Sequence, residues 1–144
     1  MAELNGENGW WVWLFRKMGW RVGQSLGARG EAYAADFLRG KGMRIISRNR
    51  RHKGGEIDLI AIDGRWVVFV EVRTRASEEY MTPENSIRFG KKRAVTRTVR
   101  GLMRRHKAAG MTARIDVVAV IWPEGAKEPT EVRHHKGAMA VVGW

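Results

Sequence analysis

Glu56, Asp58, Glu71 and Arg73 stand inside an otherwise apolar run, KGGEIDLIAIDGRWVVFVEVRTR, from Lys53 to Arg75. Charges are costly to desolvate where a sheet packs its core, so each needs a compensating partner. A hard divalent cation shared by Asp58 and Glu71 would be one. If Asp63 and Gly64 form a two-residue turn, Ile62 faces Arg65 and Asp58 faces Phe69. Asp58, Phe69, Glu71 and Arg73 then share a face, with Asp58 diagonal to Glu71 at a Cβ spacing of about 7 Å. Two carboxylates that close raise each other's pKa, and one cation relieves both. A solvated hairpin face with an ion pair accounts for the same residues without a metal. Loop length decides parity: a three-residue turn would put the two acids on opposite faces and dissolve the site.

The elements that would position these groups follow from periodicity. Ser25 to Arg39 reads as a helix, from the spacing of Leu26, Ala34, Phe37 and Leu38, and ends at Gly40. At 100° per residue Glu31 falls within the apolar stripe, between Ala34 and Ala35 and above Leu38. A carboxylate there either has a partner or simply exploits the helix dipole near the first turn. Met43 to Asn49, Glu56 to Ile62, Trp66 to Arg73 and Ala113 to Ile121 read as strands. Ala76 to Arg88 reads as a loop close to the site, and Lys92 to Ala108 as the clearest helix of the chain. A strand, a crossover helix and a strand pair in parallel, which places the fourth strand beside the third. Val132 to Val142 reads as an added edge strand. The order helix, three strands, helix, strand predicts an α/β sandwich with a mixed sheet of four to five strands.

Charge indicates the partner. The 144 residues carry 27 Lys and Arg against 15 Asp and Glu, a net +12, which suits a polyanion: nucleic acid first, an anionic membrane surface second. Arg93, Arg97, Arg100, Arg104 and Lys107 fall within about 40° of one line on the second helix, opposite Val95, Val99, Leu102 and Met103. Such like charges repel, and a polyanion relieves that repulsion. A second basic stretch, Arg39 to Lys53, has seven basic residues, including Arg48, Arg50 and Arg51, and no acid. The alternative reading of both stretches is a solvated basic face kept for solubility. No recognition helix, zinc finger or RNA-binding aromatic motif is present, so sequence-independent or structure-selective binding is expected. His134 and His135 are adjacent and read as an exposed tail, not a chelating pair; His52 and His106 extend the basic surface.

The chain has no cysteine, no apolar run of transmembrane length and no evident secretory cleavage site. A cytoplasmic protein is expected. Residues 1–24 form a separate extension in which Trp10, Trp11, Trp13, Phe15 and Trp20 alternate with Arg16, Lys17 and Arg21. Its chemistry suits docking on the domain 25–144, lying at a membrane surface through residues 1–22, or stacking on single-stranded nucleic acid.

The blocks GARGEAYAADFL, NRRHKGGEIDLIAIDG, VVFVEVRTR and ARIDVVAV resemble the YraN family of small bacterial proteins of unassigned function, from about Leu26 to the end. That family is similar in fold to the PD-(D/E)xK nucleases and the archaeal Holliday-junction resolvases, which implies a restriction-endonuclease-like core. Carried over by motif, Glu31 matches the first-helix acid, Asp58 the metal-binding aspartate and Glu71 the second acid. Arg73 stands where the pattern has lysine. The resemblance implies Mg²⁺ or Mn²⁺ held by Asp58 and Glu71, and phosphodiester hydrolysis with Glu31, Asp58, Glu71 and Arg73 as the catalytic set. It implies duplex or branched DNA as the partner and leaves RNA open. A symmetric junction would suit a homodimer. Arg73 can supply charge but not a base, because guanidinium does not deprotonate in proteins; a DNA-binding module without hydrolytic activity is the alternative.

Overall fold

A computed structural model describes residues 25–52, 55–79, 81–87, 89–105 and 111–139. The tryptophan-rich extension, Lys107, His106 and the last residues of the expected final strand lie outside the described residues, as does the side chain of His52. Helix α1 (Leu26–Gly40) begins where Ser25, in extended conformation, accepts the Ala28 N–H through its side chain. It ends at Lys41, followed by Gly42 at φ +91°, a conformation that favours glycine. Strands β1 (Arg44–His52), β2 (Gly55–Asp63) and β3 (Trp66–Arg75) then form an antiparallel meander. A 3₁₀ turn (Glu84–Ser86) interrupts the loop that leads into α2 (Phe89–Arg105). Strand β4 (Thr112–Ile121) runs parallel to β3, and β5 (Glu131–Met139) closes the edge antiparallel to β4.

The mixed sheet has the order β1-β2-β3-β4-β5 and carries one helix on each face. Ala34, Ala35 and Leu38 of α1 pack on Leu59, Ala61, Val68, Val70, Val118 and Val120. Val95, Val99, Leu102 and Met103 of α2 pack on the other face with Phe69 and Ile115. Burial on both sides is why the central strands read as near-continuous apolar runs instead of alternating ones. The expected α/β sandwich, its element order and its parallel β3–β4 pair are all present.

The hairpin register differs from the expected one. Asp63 pairs with Trp66, so the two loop residues are Gly64 and Arg65. Gly64 takes φ +59°, which suits the first position of a tight hairpin loop. Asp63 is kept in the strand by Arg114 of β4, whose Nη2 lies 2.7 Å from its Oδ2. The pairing therefore moves by two residues. Parity survives, because the loop still has two residues, and the register carried one step past the last pair, Leu59 with Val70, sets Asp58 facing Glu71 instead of diagonal to it.

A second correction concerns His134. Its imidazole is buried, and Nε2 lies 2.8 Å from Oδ2 of the fully buried Asp116. Asp116 sits at a register shift between β4 and β5, where it also accepts the Gly137 N–H and binds Arg114. Against the burial that would raise it, hydrogen bonds from His134 and Arg114 hold the Asp116 carboxyl below its ordinary range. His135 is on the other side, 2.8 Å from Glu84. The two histidines do point apart, but each has a partner: neither belongs to a free tail.

Candidate active site

Glu31 from α1, Asp58 from β2, Glu71 and Arg73 from β3 and Lys91 from the first turn of α2 line one recess of about 370 Å³. Asp58 is buried, and its Oδ2 accepts the Val72 backbone N–H at 2.9 Å. Glu71 is 2 % exposed. Its Oε1 lies 3.1 Å from Arg73 Nη2 and 3.5 Å from Lys91 Nζ, while Oε2 is buried without a hydrogen-bond partner among the described residues. Burial, and then the neighbouring Asp58 charge, push the Glu71 carboxyl up to about 7 in spite of both cations. Burial likewise raises Asp58, partly offset by the Val72 N–H.

Glu31 reaches this recess because Gly30 lets α1 lie against β3. A Cβ at position 30 would come within 1.7 Å of Thr74 Oγ1. Burial, with the charges of Asp58 and Glu56, pushes Glu31 up to about 7. Its Oε2 accepts the Asn49 amide at 3.0 Å, with that amide oriented to donate also to Glu56 Oε1 at 3.3 Å. Asn49 itself takes φ +51°, which asparagine tolerates better than most side chains. Gly30→Ala is expected to lower stability by about 1–3 kcal/mol, since the overpacking outweighs the roughly 1 kcal/mol gain in helix propensity. Thermal melts of Gly30→Ala and of Gly30→Ala/Thr74→Ala check this: the double variant should recover most of the loss, and an unperturbed single variant would refute the contact.

The loop between β3 and α2 passes the recess through Ser86. It is tied to β5 by Arg133, which pairs with Glu78 and, at 2.8 Å, with Glu84. Arg133's hydrogen bond pulls the Glu84 carboxyl down to about 2.

The basic candidates divide between two regions. Arg48, Arg50 and Arg51 are exposed on β1 at one sheet edge, with Arg51 Nε 3.9 Å from Glu56 and the Arg48 charge felt at Glu31. Arg93, Arg97 and Arg104 are exposed on α2, and Arg100 is half-buried there, opposite the apolar stripe.

Residues 30–120 match the uncharacterised protein family UPF0102. The chain belongs to that family, the YraN family whose motifs it resembles. It is 41% identical over 120 residues to a UPF0102 protein of Rhodopirellula baltica, covering 82% of this chain and 72% of that one. A UPF0102 protein of Paenarthrobacter aurescens is 43% identical over 117 residues, 81% of this chain and 95% of its own length. One from Geotalea daltonii is 39% identical over 116 residues, with shares of 81% and 90%. All the sequence-predicted catalytic residues of this UPF0102 protein fall inside the matched region.

Sequence reasoning missed Lys91, Asn49 and Ser86. Lys91 had a signal. It lies four residues before Val95 and seven before Thr98, both buried, so a cation stands on the apolar stripe of α2 as Glu31 stands on that of α1. No local pattern marks Asn49 or Ser86. Among the described residues no helix is long and apolar enough to cross a membrane.

Proposed function

We propose that this UPF0102 protein binds nucleic acid and hydrolyses phosphodiesters at the Glu31–Asp58–Glu71 recess with Mg²⁺ or Mn²⁺, acting as an endonuclease on duplex or branched DNA. The observation that carries the reading is the Asp58–Glu71 pair: two facing buried acids, raised in pKa, with one carboxylate oxygen unpartnered beside two cationic side chains. A purely structural ion pair would satisfy both oxygens and hold the pKa down.

The donor set fits a hard ion. Asp58 and Glu71 would hold it through oxygen alone. Among the described residues no three His, Cys, Asp or Glu converge as a metal cage, and Mg²⁺ commonly takes only one or two carboxylates, completing its shell with water and substrate phosphate. When bound, the ion supplies Lewis-acid charge at the scissile phosphate.

The remaining roles belong to the chain. Arg73 and Lys91 place positive charge where negative charge builds on the phosphate in the transition state. Glu31, poised near neutrality, orients the attacking water and takes its proton on Oε1, the oxygen that Asn49 does not engage. Ser86 of the anchored loop and Gly27 of α1 complete the lining of the recess. The basic surfaces on α2 and β1 supply affinity and, making no base contacts, leave the sequence unread.

The test is incubation of the pure protein and of Asp58→Ala with linear, single-stranded and four-way-junction DNA, with and without Mn²⁺. Mn²⁺-dependent cleavage that vanishes in Asp58→Ala is expected. Tight binding without cleavage would make the protein a catalytically degenerate binding module, and cleavage surviving in Asp58→Ala would belong to a contaminant.

A further inference from the structure

We propose that the groove between α2 and β5 is a track for a single phosphodiester backbone, gripped without contact to the bases. The proposal rests on the nucleic-acid reading above for the identity of the polyanion. The groove is about 410 Å³; its helix wall carries Lys92, Arg93, Arg97 and Arg100, and its strand wall Ala138 and Met139. Among the described residues, none that lines it is acidic. A recess whose described lining gathers four cations and no acid suits an anion.

Arg100 gives an independent indication. Its Nε is buried and has no hydrogen-bond partner among the described residues. A buried guanidinium donor left unmatched costs free energy that an incoming phosphate oxygen would recover.

The groove also leads to the candidate active site. A neighbouring recess of about 610 Å³ shares Lys92, Ala138 and Met139 with it and extends to Asn85 and Ile87. These flank Ser86 of the site. The one acid lining this path among the described residues, Glu84, pairs with Arg133 and is outnumbered there by Lys92 and Lys136. A chain of phosphates leaving the site therefore meets a net positive surface.

The walls also define what is read. Among the described residues no aromatic side chain lines either recess, so the described walls offer charge and no platform for base stacking. The Thr96 hydroxyl is spent on the Lys92 carbonyl at 2.9 Å. All four cations stand on the helix wall and none on the strand wall, so the groove offers one line of positive charge, suited to one backbone at a time. From Arg93 to Arg100 the helix rises about 10 Å, a few phosphates' length.

The experiment is metal-free binding of a fluorescent single-stranded oligonucleotide and its fully abasic counterpart, titrated over salt. Wild-type protein should bind the two within about threefold. Arg97→Gln/Arg100→Gln should weaken binding at least tenfold and reduce the slope of log K against log salt by about 1.4, at roughly 0.7 for each phosphate no longer neutralised. Ala138→Glu should give a comparable weakening with all helix cations intact, and its melting curve reports whether it folds. An unchanged salt slope in both folded variants overturns the proposal. So does a tenfold preference for the base-bearing strand, or a weakening confined to binding of phosphatidylglycerol vesicles. The hydrolytic reading fails separately: protein that binds as described and never cuts keeps the groove, whereas cutting with unaltered binding in the variants removes it.

Discussion

At pH 8 and without divalent ions, Glu71→Gln is expected to melt at a higher temperature than the wild-type protein. The Glu71 carboxyl is raised from about 4.5 to about 7 in the fold, by burial and by Asp58. Between those values the folded state holds a proton that the unfolded chain has released. Its contribution to stability is thus fully present below about pH 4.5 and is lost as pH rises through about 7. Above that, an ionised Glu71 opposes folding by up to about 3 kcal/mol, from 1.36 kcal/mol per pKa unit. An amide of the same shape removes the penalty. Glu31, raised for similar reasons, adds to the trend in the same direction, more weakly because it is half exposed to solvent.

The same substitution should abolish the response to metal. Mn²⁺ at about 100 times its Kd would stabilise the wild type by about 2.7 kcal/mol, and should leave the Glu71→Gln melting temperature unmoved. Melting curves at pH 5.5 and pH 8, with and without Mn²⁺, check both halves. The substituted protein should gain over wild type at pH 8 and little at pH 5.5. An equal or lower melting temperature at pH 8 would show that the Arg73 and Lys91 ion pairs outweigh the burial, and would turn the two acids into ordinary ion-pair partners.

Lys91→Met should lower Mn²⁺-dependent cleavage by about 10²–10³-fold, the usual cost of removing one preorganised group from a developing charge. Arg73→Lys alone should change the rate only a few fold, because a lysine already reaches Glu71 from α2. The informative comparison is Lys91→Met/Arg73→Lys, which should recover part of the loss by returning an amine to the same carboxylate. DNA affinity measured alongside should fall much less than the rate, which separates a catalytic role from loss of surface charge. Undiminished cleavage in Lys91→Met would return the whole task to Arg73. If cleavage instead falls as expected, the departure of Arg73 from the nuclease-like pattern is a relocation, with α2 supplying the amine that β3 lacks.

Much of this is legible in the chain. Glu31 stands out because a carboxylate on an apolar helical stripe calls for either a partner or the helix dipole, and Gly30 beside it allows the approach that provides a partner. Asp58 and Glu71 stand out by the same logic in strands, and their shared face depends only on the parity of a two-residue loop. The exact pairing is not legible. Asp63 and Gly64 look like the loop, yet Arg114, 51 residues further along the chain, holds Asp63 in the strand. His134 escapes sequence reasoning for a related cause: its partner, Asp116, lies on a neighbouring strand, and nothing local announces it.

Periodicity and the expense of buried charge are properties of short stretches, and they suffice for the secondary structure, the mixed sheet and for marking which acids stand on apolar faces, as the motif blocks do for the family. The direct facing of Asp58 and Glu71, the arrival of Lys91 beside them and the basic groove between α2 and β5 come from the fold. Each joins residues distant in the chain, and only the pairing of strands and the seating of helices on them can bring such residues together.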